Sequence, residues 1–160
     1  MKTMIVYFSL EGNTDYAAKE IAEKLGADLL RLELARPFPK NKLLQFLVGG
    51  KGAMLEETPG LKPYAFDPAV YDRIIFGFPV WAGNVTPPIR SFIKNNDLEG
   101  KHFAAFACMG GSGADKAICK LKMALGIRKL DAAMYLIAPK ERQDPENDKK
   151  IARFCAKLSR

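Results

Sequence analysis

Ser9, Gly12, Asn13 and Thr14 stand where an apolar run gives way to a helical pattern, in Ser9-Leu10-Glu11-Gly12-Asn13-Thr14. The run before them, Met4 to Phe8, is apolar and β-branched and stops at Ser9. The chain then turns through Gly12 and enters a segment whose first polar residues are Asn13 and Thr14. A strand, a tight loop and a helix N-terminus in that order leave unpaired backbone N–H groups and partial positive charge aimed at the loop, which suits a phosphate. Ser9, Asn13 and Thr14 add side-chain donors at the same point. No Lys or Arg lies between Met4 and Thr14, so neutral dipoles would hold the phosphate. The same residues could also serve as ordinary helix caps.

The spacing narrows the ligand. A nucleoside-triphosphate loop needs Gly-x-x-x-x-Gly-Lys-Ser/Thr, because its Lys and hydroxyl serve the terminal phosphates and Mg²⁺. A dinucleotide loop needs Gly-x-Gly-x-x-Gly, and here Gly12 is alone. What remains is a loop sized for one terminal monophosphate.

Two later segments repeat the strand-to-loop pattern. Asp72 to Phe78 is apolar and runs into Pro79-Val80-Trp81-Ala82-Gly83-Asn84, which carries the only Trp. His102 to Cys108 runs into Met109-Gly110-Gly111-Ser112-Gly113. In a parallel sheet all three loops lie along one edge, where open α/β sheets bind ligands.

Ser-x-x-Gly-Asn-Thr after an N-terminal strand, together with these two loops and the Pro-Pro-Ile-Arg-Ser-Phe that follows the second, resembles the flavodoxins over essentially the whole chain. The resemblance implies FMN as cofactor, with phosphate contacts from Ser9, Leu10, Glu11, Gly12, Asn13 and Thr14. It gives the isoalloxazine ring to Pro79, Val80, Trp81, Ala82, Gly83 and Asn84 and to Met109, Gly110, Gly111, Ser112 and Gly113. An aromatic face at Trp81 suits ring stacking. The glycines of the third loop let backbone N–H groups approach the ring edge, with Ser112 as an extra donor. Glu11 departs from the family, which commonly has Thr there; a carboxylate repels a phosphate and should point outward. The resemblance also implies that a peptide of the second loop turns its carbonyl toward the flavin N5, and Gly83 beside Ala82 would permit that rotation.

These residues need a frame to position them. At 160 residues the chain is long enough for one α/β domain, 1–160, and short for two. Hydrophobic content of 48% and charged content of 27% are those of a globular protein. No apolar run reaches the roughly 18 residues of a membrane span, and no signal peptide is legible at the start. Cys108, Cys119 and Cys155 show no Cys-x-x-Cys spacing, which argues for a reducing, cytoplasmic setting and against a cysteine metal site. Cys108 reads as a small buried residue, Cys119 and Cys155 as helical core, and His102 as structural.

Alternating periods predict strands at about 3–8, 28–34, 72–77, 102–107 and 131–137, and helices at about 13–25, 87–95, 114–125 and 145–158. That alternation implies a doubly wound parallel sheet with helices on both faces. The order 2-1-3-4-5, and the absence of a long insertion in the last strand, follow from the resemblance. Between Arg36 and Tyr71 the pattern is least legible: a short helical stretch from Lys42 to Val48, glycines at 49, 50 and 52, then a Pro-rich run whose aromatics pack on the sheet. A flap over the site is one reading of those glycines, and surface packing the other.

The formal charge of +7 is unusual beside the acidic flavodoxins. It suggests a solvated basic surface, or attraction to acidic redox partner proteins. It would also fit nucleic acid, but no nucleic-acid motif is present. Two functions remain: a one-electron carrier serving a reductase and an acceptor protein, or an NAD(P)H-dependent FMN or quinone reductase on the same fold.

Overall fold

The computed structural model describes residues 1–39, 42–142 and 144–159, and of residues 42–47 the backbone alone. The elements alternate as β1 (Thr3–Tyr7), α1 (Asn13–Leu25), β2 (Asp28–Arg31), α2 (Lys42–Met54), β3 (Arg73–Pro79), α3 (Pro87–Asn95), β4 (His102–Met109), α4 (Ala114–Leu125), β5 (Ala132–Ile137) and α5 (Pro145–Leu158). The strands form one parallel five-stranded sheet in the order β2-β1-β3-β4-β5. Its three central strands are buried on both faces and read as continuous apolar runs, as parallel strands between helical layers must.

Successive residues of each strand face opposite layers. Ile5, Tyr7, Ile75, Ala104, Phe106 and Cys108 join the buried residues of α1 and α5. Met4, Val6, Phe8, Ile74, Phe76, Phe78 and Ala105 join those of α3 and α4. Helix ends follow local chemistry. Gly26 closes α1 in the left-handed region, with its N–H on the Ala22 carbonyl. Pro87 and Pro88 open α3. Asp144 caps α5 by accepting from the Glu146 N–H at 2.9 Å.

Three expectations change. The helix expected to end near Val48 continues to Met54 straight through its glycines, because α2 packs closely on Trp81, as shown below. The second strand leaves the sheet after Arg31, and Leu34 instead bridges antiparallel to Leu61. Cys119 is exposed, not core, because it falls on the outer side of α4; Cys155 is buried. In addition, β3 and β4 run about two residues further than expected. The Val80 N–H bonds the Cys108 carbonyl at 2.8 Å, so the ladder extends to the loops themselves. Of the aromatics in the Pro-rich run, Tyr64 and Phe66 pack on Phe92 of α3, with centroids 5.5 and 4.9 Å away.

Candidate functional site

All the strands end at the same edge of a parallel sheet, and there a cavity of about 640 Å³ opens. The loop after β1 lines it with Ser9, Leu10, Glu11, Asn13 and Thr14. The end of β3 adds Pro79, Val80, Trp81 and Ala82, and the end of β4 adds Cys108, Met109 and Gly110. The three loops anticipated from sequence therefore meet in one place. Gly12, Gly83, Asn84, Gly111, Ser112 and Gly113 stand outside the lining.

Two further segments border the cavity. From α2 come Gly50, Lys51, Met54 and Leu55, and from the chain after β5 come Ala138 and Glu141. The first group was obscured by the glycines of α2. The second had a signal in the topology, since β5 is one more parallel strand whose C-terminal end faces the same edge.

The first loop is pinned from below. The Gly12 N–H donates to Ser9 Oγ at 3.2 Å, and Arg31 of β2 donates to the Ser9 carbonyl at 3.3 Å. Arg31 also lies 3.5 Å from Asp15, whose carboxylate accepts from the Tyr7 hydroxyl at 2.8 Å. Lys19, then the Tyr7 hydroxyl and Arg31, hold the Asp15 carboxyl below the usual carboxylate range. Burial, reinforced by Asp15, pushes the Tyr7 phenol up. Gly12 caps α1 at φ +98° with no side chain to offer, so the first-turn N–H groups of the helix face the cavity side without a capping side chain. Thr14 is 1% exposed and faces the Cys108 thiol. Glu11 is exposed where it meets the cavity. The Asn13 amide points instead to the β5–α5 loop: Oδ1 accepts from the Lys140 N–H at 3.0 Å and Nδ2 donates to Glu141 Oε1 at 3.3 Å. Folding thus brings cations to a loop whose own sequence lacks them: Arg31 bonds the Ser9 carbonyl, Lys140 follows β5 to the Asn13 amide, and Lys51 of α2 lines the cavity itself.

The second loop is a tight turn. Asn84 N–H donates to the Trp81 carbonyl at 2.9 Å, and Ala82 and Gly83 take φ of +49° and +67°. Asn84 is 2% exposed and acts on this turn, not on the cavity: its Nδ2 donates to the Ala82 carbonyl at 2.7 Å, and its Oδ1 accepts from Lys120 Nζ. Lys120 lies 4.0 Å from Glu56, which also pairs with Arg90 at 3.1 Å. A polar chain therefore links the Ala82 carbonyl to the segment just after α2. The third loop packs on the second, backbone against backbone, because a Cβ on Gly113 would lie 3.1 Å from the Gly83 Cα.

Trp81 is half-buried and lines the cavity while packing edge-on to Phe8 and Phe38, at 5.7 and 5.4 Å between centroids. A Cβ on Gly49 would sit 2.9 Å from its six-membered ring, so glycine there is what lets α2 cover the tryptophan. Cys108 is buried, and burial pushes its thiol up to about 12. No group of His, Cys, Asp and Glu among the described residues is arranged to hold a metal ion, and no described helix is long and apolar enough to cross a membrane.

The sequence model of the flavodoxin family matches residues 2–138. Among solved structures, the chain is similar to a protein of Bacteroides eggerthii assigned as a flavoprotein, at 25% identity and TM-score 0.79 over 99% of this chain and 98% of that one. A second such protein, from Bacteroides uniformis, is 27% identical at TM-score 0.75 over 85% and 90% of the two chains. A flavoprotein of Lactobacillus acidophilus solved in complex with FMN shares the fold at 17% identity, TM-score 0.77, over 96% and 97%. No curated protein is similar enough in sequence to match.

Proposed function

The chain belongs to the flavodoxin family, and on that footing we propose that it binds FMN in this cavity and carries electrons singly between redox partner proteins. The observation that carries the reading is the union of two unlike surfaces in one cavity. Val80, Trp81, Met109, Met54 and Leu55 give it apolar walls, while Ser9, Thr14 and the uncapped start of α1 give it a place for a phosphate. FMN has the same division, a flat aromatic ring at one end and a phosphate monoester at the other. The volume, about 640 Å³, is that of a site enclosing one small molecule.

In this reading Trp81 and Met109 border the ring, and Gly110 brings the backbone close to its edge. Ser9, Thr14 and the first N–H groups of α1 hold the phosphate. Met54 and Leu55, both exposed, extend the apolar wall at its mouth. Asn84 fixes the Ala82 carbonyl, and with it the shape of the second loop. Cys108, its thiol pushed up to about 12 by burial, lines the cavity as a small neutral group. FMN itself supplies the one- and two-electron chemistry when bound. The surplus positive charge supports acidic protein partners, and the three free cysteines support a reducing, cytoplasmic setting.

Anaerobic photoreduction of the FMN-loaded protein tests the reading. A carrier accumulates a long-lived one-electron-reduced flavin, and NADH or NADPH alone reduces it slowly until a reductase protein is added. Rapid oxidation of a nicotinamide by the pure protein, with turnover of quinone or free flavin, would assign it as a reductase instead.

A further inference from the structure

We propose that Lys140, brought in by the loop between β5 and α5, is the cationic partner of the flavin phosphate, and that Asn13 is the residue that positions it. This rests on the FMN reading above. Asn13, at the first position of α1, has both ends of its amide committed to that loop, through the Lys140 N–H and the Glu141 carboxylate. The loop is itself a closed turn. Ala138 takes φ +41°, and its carbonyl accepts from the N–H groups of Glu141 at 3.1 Å and Arg142 at 2.8 Å. Lys140 then lies across Gly12: its Nζ stands 2.9 Å, and its Cδ 3.2 Å, from where a Cβ on Gly12 would be. Any side chain at residue 12 would displace the ammonium, so the glycine serves both its own φ of +98° and the place of the lysine.

That place is unfavourable for a cation by itself. Gly12 is the N-cap of α1, where the helix carries partial positive charge and the cap has no side chain to accept from an ammonium. Among the described residues, none of the ion pairs involves Lys140. The carboxylates bordering the cavity, Glu11 and Glu141, make matters worse for an incoming phosphate, which they repel. A phosphate dianion between the ammonium and the N–H groups of α1 reverses both problems, because each positive group then faces negative charge. Lys140, exposed beside Gly12 at the edge of the cavity lining, adds positive charge against Glu11 and Glu141 from the loop side, while Lys51 borders the cavity from α2. The Asn13 amide holds the backbone from which Lys140 reaches.

Flavin titrations of the apo-protein decide the matter, with FMN and riboflavin measured side by side for the wild type, K140M, K140R, N13A and the double variant. The expected result is a dissociation constant for FMN raised about tenfold in K140M, as for loss of one charge-assisted contact, with riboflavin unchanged. K140R should keep most of the FMN affinity, because it keeps the charge. N13A should lose about as much as K140M, and the double variant no more than either. Added salt should weaken FMN binding to the wild type more than to K140M. Equal FMN affinity in K140M and wild type overturns the assignment. A matching loss for riboflavin overturns it too, by making Lys140 a support of the fold. Additive losses in the double variant would return the phosphate to Asn13 directly. A wild type that binds neither flavin removes the FMN reading itself, an outcome distinct from all of these.

Discussion

Cys108 shows how position decides what a reactive side chain can do. Its thiol borders the cavity at the end of β4, but burial raises its pKa to about 12 and the nearby Thr14 hydroxyl lowers it only in part. A neutral thiol is a poor nucleophile. The folded pKa lies above the ordinary 9.0, so keeping the thiol neutral contributes stability that is complete below that value and is lost as pH rises toward about 12. In a thiol-labelling experiment near pH 8, the exposed Cys119 should react quickly, and Cys108 and Cys155 only on unfolding. Cys119→Ser should then leave no fast phase; a fast phase that survives would mean that Cys108 is more accessible than its packing implies. At this scale the sequence was a good guide to residue type and a poor one to pairing. Asn13 was legible as a polar group beside a phosphate loop. That its amide is occupied by Lys140 and Glu141 was not, because no local spacing reports a bond between residues so far apart in the chain. The same holds for Asn84, whose place in the second loop suggested ligand contact and whose burial turns it onto the Ala82 carbonyl.

Among the elements, α2 departs most from its local signal. The start of α3 and the ends of α1 and α4 are marked by Pro87-Pro88 and by Gly26 and Gly126, and the start of α5 by Asp144-Pro145, so those helices were legible to the residue. Gly49, Gly50 and Gly52 oppose helix formation, each costing about 1 kcal/mol relative to alanine. Tertiary packing overrides them, since only a glycine at residue 49 lets the helix lie on Trp81. The consequence is that the roof of the cavity was hidden, while its floor of three strand ends was readable from apolar runs ending in small residues. Gly49→Ala tests this. The helix propensity of the segment rises, yet the added methyl meets the Trp81 ring at 2.9 Å. Overpacking of this kind costs about 1–3 kcal/mol, so the net expectation is a lower melting temperature. Emission from Trp81, the only tryptophan, should shift to the red as the ring is pushed toward the cavity. Gly50→Ala, with open space around the added atom, should raise the melting temperature or leave it unchanged. A stabilised Gly49→Ala protein would show that α2 does not bear on the tryptophan.

For the molecule as a whole, 25 basic residues against 18 acidic ones leave a charge of +7. Ion pairs such as Lys2–Asp28 and Lys62–Glu33 neutralise charge locally on exposed surface and contribute little to stability. The surplus therefore bears on encounters more than on the fold, which apolar layers on both faces of the sheet hold together. For a carrier whose partners are acidic proteins, the field of the molecule raises the rate of productive encounter at low ionic strength and loses that effect as the screening length shrinks from about 30 Å at 0.01 M salt to about 3 Å at 1 M. The measurement is the bimolecular rate of electron transfer from the photoreduced protein to an acidic redox protein, followed in stopped flow across that range of salt. The expected rate falls by about tenfold or more with rising salt. With a basic redox protein of similar size and potential the trend should run the other way, because screening then relieves repulsion. Opposite slopes with the two partners would tie the charge to docking, as the carrier reading requires. Flat profiles with both would leave the positive surface as a solvated coat and would remove acidic partners from the proposal, while leaving FMN binding untouched.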